Sequence, residues 1–146
     1  MVCHAAQAAY EAFGFRMRRE QRPFLYLFGS VDSILKSKQT VFDALNLLPF
    51  YTYINIGFES ADDNTLEGIG KPITSSKVKA AFNKMVAINA ACEYLEITGN
   101  FVIGDKLSPG HDDSLASLLE SADAASKLKG SIYLSPLKDS PGKREL

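Results

Sequence analysis

Tyr53-Ile54-Asn55-Ile56-Gly57-Phe58-Glu59-Ser60 is the stretch on which the fold turns, because its small and polar residues fall at alternate positions and it closes on a carboxylate. At the two-residue period of a β-strand, Tyr53, Asn55, Gly57 and Glu59 share one face and Ile54, Ile56 and Phe58 the other. Such a strand, set between helical segments, implies a wall that packs on helices and a hollow that receives a polar ligand. Glu59 stands at the mouth of that hollow.

The pattern recurs. Over Tyr94 to Gly104, Glu96, Thr98 and Asn100 oppose Leu95, Ile97, Phe101 and Ile103. In the aromatic run from Phe24, the residues Phe24, Tyr26, Phe28 and Ser30 oppose Leu25, Leu27 and Gly29. A last strand at Ser131 to Leu134 sets Ser131, Tyr133 and Ser135 against Ile132 and Leu134. Between the strands lie helical signals. Residues Ala5 to Gln21 repeat alanine and phenylalanine at three- and four-residue intervals before Pro23, and Thr40 to Leu48 ends at Pro49. Asp62-Asp63-Asn64-Thr65 caps a short helix through Leu66. Thr74 or Ser75 caps a long one whose buried stripe is Val78, Phe82, Met85 and Cys92. Asp112 and Asp113 suit the positive end of a helix carrying Leu115, Leu118, Leu119 and Ala122, with Lys127 and Lys129 at its other end and Gly130 as its C-cap. Gly29 to Ser33 reads as a loop.

Strands alternating with helices predict parallel βαβ units with right-handed crossovers. An antiparallel sheet with one wet side would show the same alternation, but a helix as long as Thr74 to Cys92 is hard to fit into a meander. The fold class expected is α/β, a partial (β/α) barrel of parallel strands. An ordinary eight-stranded barrel fills its interior with branched apolar side chains; the polar faces here favour a wider or open one with a ligand inside. The chain reads as a single domain, with an N-terminal helix in residues 1–22, βα units over 23–136 and a tail at 137–146.

At 146 residues, 46% hydrophobic and 23% charged, with a formal net charge of -1, the composition is that of a globular domain without a broad electrostatic commitment to nucleic acid or an anionic membrane. No run approaches the roughly 20 apolar residues of a membrane span, and no secretory pattern opens the chain, so a cytoplasmic location is expected. Cys3 and Cys92 are too few for a disulfide framework, and His4 and His111 have no metal-ligand spacing. His111, in a turn beside Gly110, reads as a solvated loop residue, Asp112 and Asp113 as helix-capping residues, and Cys92 as a small core hydrophobe. Ser135 lacks the glycine-flanked turn of a hydrolase nucleophile.

Three stretches resemble the radical S-adenosylmethionine superfamily: Ile56-Gly57-Phe58-Glu59-Ser60 with Leu66 and Gly70-Lys71-Pro72; Phe101-Val102-Ile103-Gly104 with Pro109-Gly110; and Ser135-Pro136-Leu137 with Pro141-Gly142. They are similar to the fourth, fifth and sixth strand regions of that family's partial (β/α)6 barrel, in the family's order. Leu27-Phe28-Gly29-Ser30-Val31-Asp32 is similar to its second strand. The likeness covers most of residues 24 to 142.

The resemblance implies a barrel that holds S-adenosylmethionine across the C-terminal ends of its strands, where a four-iron four-sulfur cluster cleaves it to a 5'-deoxyadenosyl radical. Glu59 would bond the ribose hydroxyls or the methionine end, since a carboxylate accepts two hydrogen bonds from a diol or pairs with an ammonium. Gly57 and Asn100 belong to the same polar lining, Asp32 and Ser30 would lie near the amino group, the Phe101 to Gly104 backbone would line the adenine, and Lys71 would reach the carboxylate. For Glu59 the other reading is a strand-end carboxylate that caps the helix near Asp62, and for Lys71 a solvated lysine before a proline. The family's C-x-x-x-C-x-x-C loop is missing. The chain is therefore expected to be the cofactor-binding fragment of such an enzyme, inactive alone, with the cluster in the full-length parent. Its exposed barrel edge is expected to favour a homodimer or other self-association. The alternative is a non-catalytic α/β module, a degenerate relative of the family, that binds a small molecule or a partner chain through the same polar face.

Overall fold

The alternation in the sequence becomes a parallel sheet. A computed structural model describes residues 2–12, 22–104, 107–123 and 132–137. Its elements run α1 (Val2–Ala12), β1 (Phe24–Gly29), α2 (Val31–Lys36), α3 (Gln39–Asn46), β2 (Tyr51–Glu59), α4 (Asp63–Gly68), α5 (Ser75–Ala91), β3 (Leu95–Ile103), α6 (Gly110–Asp123) and β4 (Ile132–Pro136). The protein is α/β, with a four-stranded sheet in the order β1-β2-β3-β4, every neighbouring pair parallel. The antiparallel alternative is thereby excluded.

One face of this sheet carries the core. Leu25 and Leu27 of β1, Ile54, Ile56 and Phe58 of β2, and Leu95, Ile97 and Phe101 of β3 join Val31, Ile34, Val78, Phe82 and Met85 from the helices in one apolar cluster. Phe58 stacks on Phe101 with ring centroids 5.4 Å apart and meets Phe82 edge-on at 5.9 Å. Gly99 makes room for that stack, since a Cβ there would lie 2.9 Å from two Phe58 ring carbons. Burying a phenylalanine of this kind is worth about 1.5–3 kcal/mol, so the three rings anchor β2, β3 and α5 together.

Two polar side chains finish what the ladder leaves undone. Asn89 of α5 is buried and donates its amide N–H to the Ile97 carbonyl at 2.8 Å while accepting from the Ile97 N–H at 2.7 Å. The β3–β4 pairing begins at Gly99, so Asn89 serves the stretch of β3 before the neighbouring strand arrives. Lys84, also on α5, donates to the Ser37 and Leu35 carbonyls at 2.7 and 3.3 Å, where a cation complements the C-terminal end of α2.

The Gly29 to Ser33 segment is not the loop its composition suggests. Ser30 is the N-cap of α2: its hydroxyl accepts from Ser33 N–H, and the Ser33 hydroxyl accepts from Ser30 N–H at 2.7 Å, a reciprocal capping box. The expected helix over Ala5 to Gln21 is described only as α1; its later residues, with Lys127, Lys129, Gly130, Ser131, Pro141 and Gly142, lie outside the described residues. Among the described residues no helix is long and apolar enough to cross a membrane.

Candidate functional site at the strand ends

The open face of the sheet is arranged in rows. Register places Tyr26 beside Tyr53 and Glu96, Phe28 beside Asn55 and Thr98, and Gly57 beside Asn100 and Tyr133. The rows run from aromatic at the beginning of the strands to polar at their C-terminal ends. In open parallel α/β sheets, ligands settle beyond those C-terminal ends.

The β2 exit is the most constrained point. The β2–β3 register shifts between Gly57 and Glu59, and Glu59 has φ 65, left-handed backbone that is costly for a residue with a Cβ. A hydrogen bond of 2.8 Å from Ser60 N–H to the Phe58 carbonyl closes a tight γ-turn around it. The turn sends two successive side chains in different directions. Glu59 folds back over Gly57, where a Cβ would lie 2.9 Å from Oε1, and its Oε1 pairs with Lys71 Nζ at 2.8 Å. The carboxylate is mostly sheltered, 16% exposed, while the lysine is 44% exposed.

Ser60 turns inward instead. It is buried, accepts the Asp62 N–H at 3.0 Å, and lies 2.8 Å from Nδ1 of His111. His111 is 1% exposed, and its Nε2 is 2.9 Å from the Val102 carbonyl. The reading of His111 as a solvated loop residue is thus corrected: it belongs to the first turn of α6 and is held on both ring nitrogens. Its glycine neighbour suggested a loop, but a Cβ at Gly110 would meet Asp62 Oδ1 at 2.9 Å, so that glycine allows α6 and the start of α4 to approach.

Asp62 caps α4, accepting from Thr65 N–H at 2.8 Å, and the Thr65 amide chiefly holds its carboxyl below the usual range, aided by Thr65 and Ser108 hydroxyls and by His111. Asp63 is held low by the Ser75 backbone N–H and hydroxyl, which ties α4 to the start of α5. Glu59 therefore does not cap α4; Asp62 does.

Of the residues singled out from sequence, Gly57, Glu59, Lys71 and Asn100 come together at the rim. Asn100 pairs in register with Gly57 and accepts from the Ser135 hydroxyl at 2.7 Å. Ser30 and Asp32 belong to the first turn of α2, and Asp32 faces Lys77 at 3.3 Å and Lys36 at 3.9 Å. Asp32 and Glu59 are thus engaged with different lysines. Gly104 follows β3 directly, beside Leu137, whose N–H bonds the Ile103 carbonyl at 2.8 Å. Sequence reasoning missed the Ser60–His111 link, whose partners are 51 residues apart and carry no shared motif.

Tyr51 and Tyr53 rise above the ordinary phenol value, first from burial and then from the neighbouring Glu96 carboxylate. A cavity of about 560 Å³ lies on the opposite, helix-covered side, between β1, α2 and α3, walled by Leu27, Ile34, Phe42, Leu45 and Ile54. Its Ser33 and Ser37 hydroxyls are spent on the Ser30 and Ser33 carbonyls, which leaves His4 and Thr40 as its other polar side chains. Compared with models of known families, with curated proteins and with solved structures, the chain matches none.

Proposed function

We propose that this chain is the S-adenosylmethionine-binding part of a partial (β/α) barrel of the radical S-adenosylmethionine type. The observation that carries the reading is the Glu59–Lys71 pair, set on a strained γ-turn over Gly57 at the C-terminal rim of a parallel sheet. A carboxylate and an ammonium 2.8 Å apart mirror the two charges of an α-amino acid end group. The Glu59 Oε1 atom is occupied by Lys71, which leaves Oε2 to accept from a ligand ammonium or ribose hydroxyl, while the remaining Lys71 N–H donors suit a ligand carboxylate. Asn100 and the Gly104 backbone extend the same rim.

The four-iron cluster does not fit the residues present. Among the described residues no three His, Cys, Asp or Glu side chains are grouped to hold a metal ion, and Cys92 is buried at the end of α5. In this reading the cluster thiolates come from other polypeptide, and this chain's own work is to bind and orient the amino acid end of the cofactor.

Calorimetric titration of the full chain with S-adenosylmethionine, wild type against Glu59→Gly, is the test. Glycine accepts the positive φ, so the variant removes the carboxylate without adding backbone strain. Expected is binding that the variant weakens by tenfold or more, as for a lost charge-assisted hydrogen bond worth about 1.5–3 kcal/mol. Equal binding by both proteins, or none by either, would overturn the reading.

A further inference from the structure

The two margins of the sheet are built differently. The Pro23 carbonyl accepts from the Tyr51 N–H at 2.9 Å, so the alternating backbone of β1 turns Leu25, Leu27 and Gly29 toward β2 and leaves the N–H and C=O groups of Phe24, Tyr26 and Phe28 pointing away from the sheet. At the other margin the Leu137 N–H bonds the Ile103 carbonyl, so Ile132, Leu134 and Pro136 of β4 face outward, and the proline has no donor to offer. Proline, lysine and bulges are the usual guards of an exposed edge. β1 carries none of them. It reads Phe24-Leu25-Tyr26-Leu27-Phe28-Gly29, without a charge, and pairs with β2 in unbroken register. Among the described residues no strand pairs with its outer side.

That edge is complementary to itself. An antiparallel pairing centred on Tyr26 sets Tyr26 against Tyr26 of a second copy, and Phe24 against Phe28. These are the residues whose backbone groups are turned outward, so each facing pair exchanges both of its N–H···O bonds. Their rings, 62%, 66% and 86% exposed for Phe24, Tyr26 and Phe28, then meet across the seam as aromatic cross-strand pairs. On the helix side Leu25 falls opposite Leu27, beside Val41, which is 44% exposed and lines the groove next to β1. The two-fold axis stands perpendicular to the sheet, so the contact closes on two copies, whereas a head-to-tail contact of β1 with β4 would meet Pro136.

The surface available suits a reversible pair. At ~150–250 Å² per aromatic side chain, three rings so exposed bring roughly 400 Å² per copy to the seam. Doubled, and with the backbone edge added, that approaches the ~1,200 Å² at which small transient interfaces give way to standard ones. A formal net charge of -1 sets little repulsion between copies.

We propose that β1 is a dimerisation edge, on which two copies of this chain join their sheets antiparallel through Phe24, Tyr26 and Phe28. The Glu59–Lys71 rims then lie at opposite ends of the joined sheet, so the dimer neither needs nor blocks a ligand there.

Amide hydrogen exchange of the full chain, followed by NMR from about 50 μM to about 1 mM beside sedimentation at the same concentrations, is the experiment. The Phe24, Tyr26 and Phe28 amides should slow several-fold in step with the dimer fraction, while the Leu134 amide on the other margin keeps its rate. Tyr26→Lys sets two ammonium groups against each other across the two-fold axis and should weaken the dimer about tenfold or more, leaving the β1–β2 ladder untouched. A monomer throughout the range, a dimer in which those three amides exchange as unpaired groups, or a dimer as tight in folded Tyr26→Lys as in wild type, overturns the proposal. The exchange result decides even if Tyr26→Lys does not fold. No S-adenosylmethionine enters the measurement, so the dimer and the rim reading stand or fall separately.

Discussion

The Ser60 hydroxyl and Nδ1 of His111 meet at 2.8 Å, at one end of a ring whose other nitrogen faces a backbone carbonyl. The Val102 carbonyl, 2.9 Å from Nε2, can only accept, so Nε2 donates to it, and in the neutral ring Nδ1 accepts from Ser60. Ser60 accepts in turn from Asp62 N–H. This relay joins the β2 exit, the start of α4, the first turn of α6 and the end of β3. Replacing His111 with Phe keeps a ring but strands a buried hydroxyl and a buried carbonyl. The expected loss is about 2–4 kcal/mol of stability, read from the denaturant midpoint; a change below about 0.5 kcal/mol would show the relay to be dispensable.

Gly57 and Gly99 offer a matched pair of tests. At each, an added Cβ comes within 2.9 Å of a neighbour, but the neighbours differ. At Gly57 it is the tip of Glu59, which can swing aside, so Gly57→Ala should change stability by less than about 1 kcal/mol while weakening ligand binding at the rim. At Gly99 it is the Phe58 ring, wedged against Phe82 and Phe101. Gly99→Ala should cost about 1–3 kcal/mol. Comparable unfolding curves for the two variants would contradict the packing described.

Thr52 and Asn89 should respond with opposite signs. Both are buried, but the Thr52 hydroxyl has no hydrogen-bond partner among the described residues, whereas Asn89 serves both Ile97 backbone groups. Thr52→Val removes an unsatisfied oxygen at constant shape and should stabilise the fold by about 1 kcal/mol. Asn89→Leu orphans an N–H and a carbonyl and should cost about 2–4 kcal/mol. Thermal unfolding of the two variants measures both signs.

The acid limb of stability should carry the signature of Asp62. Its carboxyl is held below the ordinary value of 3.8 in the folded chain, first by the Thr65 N–H. A depressed carboxyl lends stability that is complete above 3.8 and is lost as pH falls through the lower, folded value. Asparagine caps a helix as well as aspartate does, so Asp62→Asn isolates the charge. The gap in melting temperature between wild type and variant should therefore be constant near neutrality and shrink below pH 3.8; a gap that widens on acidification would reverse the assignment.

What could be read from the chain alone followed the range of each signal. Alternation over nine residues in β2 and β3 is long enough to fix faces, the long helix between them points to parallel layering, and the Val78, Phe82 and Met85 stripe of α5 is equally direct. Helix α2, at six residues, is too short for periodicity, although its Ser30–Ser33 pair is a capping signature visible in hindsight. Asn55 and Thr98 fall on the polar face by alternation, yet nothing in spacing tells that aromatic rings from three strands gather around them. His111 escaped because its environment is assembled from Ser60 and Val102, on other elements.

The strands lie side by side in the order in which they are made. Among the described strands, each one after β1 finds its neighbour already made, and none has to insert between two earlier ones. Synthesis and assembly can proceed as one continuous process from β1 to β4, with the newest strand always at the growing margin.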